Sequence, residues 1–298
     1  MSRFAVIPAR GGSKRIQKKN TRLFCGRPII AYSIEVALVS ELFDEVFVTT
    51  EDQDIAKLSE GLGAKVIARP LELADDFTPT IPVMRHAIGV IEDSEKSIDA
   101  ICCIYPASPF ITPDELIEGL GVLDKHGSSF VFTAACSASP IERMFRINSD
   151  DSIKMIDPES YNIRTQDLEP AYFDADRFYW GTPASWMTNE RVFLETARAV
   201  IVSPDRVCVI DTEDDWLAAE ALYRAVEIKK RAEPTSVTSI EHGLSVIDEI
   251  EKVRSRNNVN WMDILRLAFR HAPTEARGIL RAIHTDDSQI SRLLNKLT

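Results

Sequence analysis

The first 135 residues alternate between two hydrophobic periods. Short runs rich in apolar and β-branched residues, Phe4–Ile7, Glu45–Thr50, Ala64–Ala68, Ala100–Tyr105 and Ser129–Ala135, read as strands. Between them Pro28–Val39, Asp52–Leu62, Ile81–Ile91 and Pro113–Lys125 carry apolar positions at helical spacing, the last entered through Thr112, a good N-cap. This alternation predicts α/β architecture, with βα units around a mainly parallel sheet. From about 137 to 206 the rhythm breaks. Proline and polar residues rise, no helix is expected, and only Phe178–Gly181 and Ala199–Val202 read as strands. Val207–Ile210 reads as a further buried strand, and Thr212-Glu213-Asp214-Asp215 as the acidic entry to a helix over Trp216–Lys230. Pro234 then breaks the chain. The pattern thus predicts a domain over 1–234 and an extension over 235–298, whose apolar spacing gives three or four short helices too small to bury much alone.

A hydrophobic fraction of 45% with 27% charged residues supports a buried core and excludes a disordered or collagen-like chain. No apolar run reaches the length of a membrane span, and the first one ends at once in Arg10-Gly11-Gly12. A cytoplasmic protein without membrane contact is the expectation. The net charge of -11 argues against nucleic acid as a partner, while leaving room for a small anionic ligand at a local basic cluster. Five cysteines lack CxxC spacing and read as reduced, structural thiols. Five scattered histidines give no zinc pattern.

That cluster follows the first strand. In Ala9-Arg10-Gly11-Gly12-Ser13-Lys14-Arg15-Ile16-Gln17-Lys18-Lys19-Asn20, two glycines admit close backbone approach to an anion, and five cations fall within ten residues. A loop so composed, at the carboxyl end of a strand, suits phosphate. Neither GxxxxGK[ST] nor GxGxxG is present, so the P-loop and dinucleotide readings lose their support.

The segment from Ile7 to Asn20 resembles the nucleotide-binding signature of the CMP-nonulosonic acid synthetases, the acylneuraminate cytidylyltransferase family. Arg69-Pro70-Leu71-Glu72-Leu73-Ala74-Asp75-Asp76, Tyr105-Pro106-Ala107-Ser108-Pro109-Phe110 and Ile210-Asp211-Thr212-Glu213-Asp214-Asp215-Trp216 are similar to three further motifs of that family, in the same order. Arg164-Thr165-Gln166-Asp167-Leu168 and Asp174 to Gly181 look most like its pseudaminic acid branch. The resemblance implies a Rossmann-like nucleotidyltransferase that joins CTP to a nine-carbon sugar acid and releases pyrophosphate. By it, Arg10, Lys14 and Lys19 serve the phosphates. Ala9, Gly11, Gly12, Ser13 and Asn20 complete the nucleotide loop, and Arg69 and Asp76 frame the cytidine pocket. Arg164 with Gln166 would take the sugar carboxylate. Tyr105, Ser108 and Tyr179 would line the sugar pocket or else pack at the sheet edge. Asp211 would hold Mg2+, or serve only to cap the helix that follows. The resemblance also implies a homodimer in which the excursion over 137–180, with Ile141, Met144, Phe145, Ile147 and Ile153, packs against the partner's active site.

Two departures stand out. Val209 occupies a position where the family commonly has a second aspartate, and an apolar side chain cannot ligate magnesium. Asp176 falls where relatives usually have glycine. It supplies the missing carboxylate, or turnover is impaired. CMP-neuraminate and CMP-legionaminate synthesis, and nucleotide-sugar binding without turnover, therefore stay open at this level.

Overall fold

A computed structural model of the chain describes residues 2–94, 97–232 and 270–271. The short helices expected over 235–298 lie outside the described residues, except that 270–271 are helical. The chain divides into two units, Met1–Ala225 and Val226–Thr298, and the site described below belongs wholly to the first.

In chain order that unit begins with β1 (Arg3–Pro8), the short pair β2 (Leu23–Phe24) and β3 (Arg27–Pro28), α1 (Ile29–Val39), β4 (Glu45–Thr50), α2 (Gln53–Gly61) and β5 (Lys65–Ala68). It continues with α3 (Thr80–Asp93), β6 (Ala100–Ile104), α4 (Pro113–His126), β7 (Phe130–Cys136), the small hairpin β8 (Phe145–Ile147) and β9 (Ile153–Met155), β10 (Tyr172–Gly181), α5 (Pro183–Thr188) and β11 (Arg198–Val202). The next helix, α6, spans Glu213–Ala232, of which Glu213 to Ala225 belong to that unit. Seven strands form one sheet in the order β11-β7-β10-β6-β1-β4-β5. Among the described strands of this sheet, only β10 runs antiparallel to its neighbours. The expected α/β architecture with a mainly parallel sheet is therefore what the chain adopts.

Local chemistry sets the boundaries. Asp52 caps α2 by accepting from Asp54 N–H and Ile55 N–H at 2.8 and 2.9 Å. Thr112 and Glu115 form a reciprocal capping box at the start of α4. β6 is buried along its whole length, as a strand covered on both faces must be. α4 lies so close to β10 that a Cβ on Gly119 would meet Phe178 and Trp180 at 2.8 Å.

Three differences from the sequence pattern have physical causes. α5 is a single short helix in a region where none was expected, capped by Thr182, whose Oγ1 accepts from Ser185 N–H at 3.1 Å. β10 begins six residues before the apolar run at Phe178, because its register on β7 shifts between Asp174 and Tyr179. That β-bulge carries polar residues no alternating pattern would place in a strand. The apolar run Val207–Ile210 forms no strand. The backbone of the segment it leads into is held by side chains instead: Lys19 donates to Ile210 O, and Asp215 Oδ2 accepts from Asp211 N–H at 3.0 Å.

Candidate active site

The loop after β1 is held by its own hydrogen bonds. Ala9 N–H donates to Thr49 O at 3.1 Å, Gly11 N–H to Glu51 Oε1 at 2.7 Å, and the Asn20 side-chain amide to Arg10 O at 2.9 Å. Ala9, Ile16 and Asn20 are buried beneath it. Gly11 is required by close approach, since a Cβ there would run into the Asp52 side chain, whereas Gly12 faces open space.

So anchored, the loop aims four of its five cations into a cleft of about 650 Å³, which opens where β1, β5 and β6 end. Both the volume and the position suit a small-ligand site in an α/β sheet. Arg10 and Lys14 bind the Asp76 carboxylate, Lys14 at 2.6 Å. The hydrogen bonds from Lys14 and Arg10 hold that carboxyl below its usual range. Arg15 reaches Asp211 at 2.8 Å, and Lys19 stands 3.9 Å from the same carboxylate. Burial depresses the Lys19 ammonium, with Asp211 pulling the other way. Lys18 turns aside to Asp54, 3.4 Å away. Ser13, Asn20 and Arg69 line the same cleft. Arg69 is 7% exposed and donates to Thr49 O at 2.6 Å, and its Nε has no partner among the described residues.

The opposite wall is built from Tyr105, Ser108 and the bulge of β10. Tyr105 and Thr80 hydroxyls are 3.0 Å apart, and burial raises the phenol to about 12. Ser108 Oγ donates to Asp176 O at 3.1 Å. Asp176 adopts a left-handed backbone, φ 51°, which a non-glycine residue takes only at a cost. Its carboxyl is pushed up to about 6, first by burial and then by the like charge of Asp174. Tyr179 stands behind this wall. Its hydroxyl donates to Asp174 and lies 3.2 Å from Asp176 Oδ1.

The structure thus brings together Arg10, Ser13, Lys14, Lys19, Asn20, Arg69, Asp76, Tyr105, Ser108 and Asp211 as lining residues. Ala9, Gly11 and Gly12 shape the loop from behind, and Tyr179 supports the far wall. Arg164 and Gln166 are not among them. They lie on an exposed turn of the excursion, where Arg164 Nε binds its neighbour Asp167 at 2.7 Å. Asp211 follows an irregular segment rather than a buried strand, and Val209 lines the cleft at 40% exposure. Sequence reasoning counted Arg15 among the loop's cations without giving it a role, and passed over Thr78, Thr80 and Glu51. The Asp75 turn that sets Thr78, accepting from Phe77 and Thr78 N–H at 2.9 and 2.6 Å, was legible only as local turn chemistry.

A mainly parallel α/β sheet with a cation-lined cleft at its strand ends suits an anionic ligand such as a nucleotide. Residues 4–177 match the cytidylyltransferase family, and the chain belongs to that family, which makes it a nucleotidyltransferase. It is 36% identical over 225 residues to a pseudaminic acid cytidylyltransferase of Campylobacter jejuni, covering 75% of this chain and 97% of that one. It is 30% identical to a CMP-N,N'-diacetyllegionaminic acid synthase of Legionella pneumophila over 226 residues, 73% of this chain and 94% of the other. The fold is shared with a CMP:2-keto-3-deoxy-manno-octonic acid synthetase solved in complex with CTP, with a TM-score of 0.56 at 17% identity, covering 76% of this chain and 99% of that one.

Proposed function

We propose that the protein transfers CMP from CTP to the anomeric hydroxyl of pseudaminic acid. The observation that carries this reading is the convergence of Arg10, Lys14, Arg15 and Lys19 on one cleft. The identity to the Campylobacter jejuni enzyme, over nearly the whole of that relative, supports the choice of sugar. The anomeric oxygen attacks the α-phosphorus, and a new O–P bond forms as the bond to the pyrophosphate oxygen breaks. The hydroxyl proton passes to solvent water, and the departing pyrophosphate keeps the electron pair of the broken bond. Such a step asks the protein for position and positive charge more than for a covalent group. Arg10 and Lys14 release Asp76 to take phosphate oxygens, Lys19 and Asn20 guide the nucleotide, and Arg69 closes the cytidine end. Tyr105, Ser108 and the bulge of β10 receive the sugar.

Among the described residues no group of three or more acidic, histidine or cysteine side chains forms a metal cluster, and Val209 offers only methyl groups. The donor set therefore fits magnesium only in its sparse mode, held by one or two carboxylates with phosphate oxygens and water. Asp211 would hold it, with Asp176 on the same cleft. When bound, the ion neutralises charge on the phosphate oxygens.

We place Arg164 and Gln166 in the partner's cleft. Ile147, Ile153, Tyr161 and Tyr172 expose 52% to 69% of their surface on the excursion, an apolar face suited to a second copy of the chain. No helix among the described residues is long and apolar enough to cross a membrane. The unpaired cysteines suit the cytoplasm. The deciding experiment is pyrophosphate release from CTP across a panel of nonulosonic acids. Pseudaminic acid is expected to give the highest kcat/KM. A preference for legionaminic or neuraminic acid overturns the sugar assignment, and CTP binding without release from any sugar overturns the reaction.

A further inference from the structure

Two carboxylates on the cleft, Asp176 and Asp211, sit on irregular backbone, and one buried ion cluster reaches both segments. Arg177 directly follows Asp176 inside the bulge of β10 and is 3% exposed. Its guanidinium donates to Glu115 Oε2 at 2.8 Å and to Arg206 O at 2.6 Å. Arg206 donates in turn to Glu115 Oε1 at 2.7 Å. Glu115 belongs to the first turn of α4, where Oε2 also accepts Thr112 N–H at 3.1 Å. Three segments far apart in sequence therefore share one carboxylate. Arg206 opens the run that carries Cys208, Val209, Ile210 and Asp211 across the cleft without strand pairing.

A buried ion cluster is a weak source of stability, because desolvation offsets most of its Coulomb attraction. What it provides is direction. One N–H from each of two arginines fixes one carboxylate, and the second N–H of Arg177, on Arg206 O, ties in the backbone on the far side. We propose that Glu115, with Arg177 and Arg206, is a positioning residue that sets Asp176 and Asp211 relative to the phosphate-binding loop without itself touching substrate. The inference rests on the proposed reaction for its kinetic arm only.

The test uses the full chain with Arg206→Gln, chosen because Arg206 is partly exposed, whereas Glu115→Gln leaves the buried Arg177 unpaired and can fail to fold. In Arg206→Gln, kcat is expected to fall about tenfold while the calorimetric Kd for CTP stays within about twofold, and Arg206→Lys should recover part of the loss. In an Asp211→Asn background the same change should add little, because both act through one group. Hydrogen exchange gives an arm independent of turnover: the Asp211 and Thr212 amides should exchange about tenfold faster in Arg206→Gln, with β1 unchanged. A lowered melting temperature with kcat and amide exchange untouched overturns the proposal, as do effects that multiply in the double variant. Wild-type protein that binds CTP yet releases no pyrophosphate overturns the reaction instead, and amide exchange then decides the positioning role.

Discussion

The loop over 9–20 and the stretch of the 137–180 excursion that precedes β10 are both poor in regular structure, yet they are built on opposite terms. The loop is tied at Ala9, Gly11 and Asn20 and buries Ile16 beneath it. The excursion holds itself by short turns and a hairpin of two three-residue strands, and its apolar side chains face outward. The loop completes a cation wall within one chain. On the excursion, Arg164 pairs with Asp167 and does not line this chain's cleft. On the proposed dimer, the difference means that the nucleotide half of the site is complete within one protomer while the sugar half takes Arg164 from a neighbour.

The sharpest way to break this contrast is at the loop. A hydrogen bond to a charged group contributes about 1.5–3 kcal/mol, so Arg10→Ala should lower kcat/KM by roughly 10- to 150-fold. Steady-state pyrophosphate release measures it, and near wild-type turnover would remove the loop from the reaction. Asp211→Asn should cut kcat by about tenfold or more while the CTP Kd changes less than about threefold. Isothermal titration beside the rate assay separates the two, and equal losses in both would make Asp211 a plain binding group.

Arg164→Ala addresses the other region. It should raise the sugar KM about tenfold with the CTP KM nearly unchanged, since only the carboxylate partner is lost. Co-expressed Arg10→Ala and Arg164→Ala chains should regain about a quarter of wild-type activity, because statistically half of the dimers hold one intact composite site. Failure to complement, or a monomer mass by ultracentrifugation, returns Arg164 to its own chain.

The smallest effect concerns Asp176. Its carboxyl titrates near 3.8 when unfolded and about 6 in the fold, so the folded state binds the proton more tightly. Above that range the ionised group penalises the fold in full, and the penalty fades as pH falls toward the unfolded value. Asp176→Asn, which keeps a residue tolerant of left-handed backbone, should add about 1 kcal/mol at about pH 7.5 after allowing for solvent screening, and nothing near pH 4. Urea melts at both pH values test the sign.

Much of this was legible in the residues. The βα alternation, the Thr112 cap and the basic loop are local signals, and local signals survive folding. The run Val207–Ile210 misled because its apolar spacing suits a strand, while its neighbours in space are Lys19 and Asp215 rather than a strand edge. The bulge of β10 was hidden for a related reason. Arg177 is buried only because Glu115, 62 residues earlier, meets it, and no window of sequence contains both. Arg164 stood out through the family resemblance of the segment around it, but a motif does not say which cleft a side chain will face.

The ties on Gly11 and Asn20 bear finally on the thermodynamics of ligand capture. A loop whose backbone is ordered during folding has already lost that conformational entropy, so a phosphate arriving there orders only the side chains that meet it. On the proposed reaction, what remains is anion exchange, phosphate oxygens replacing the Asp76 carboxylate that Arg10 and Lys14 hold in the free protein. Affinity for triphosphate should then depend on ionic strength much more than on temperature, and capture should be fast, drawn by a cationic rim on an otherwise acidic surface.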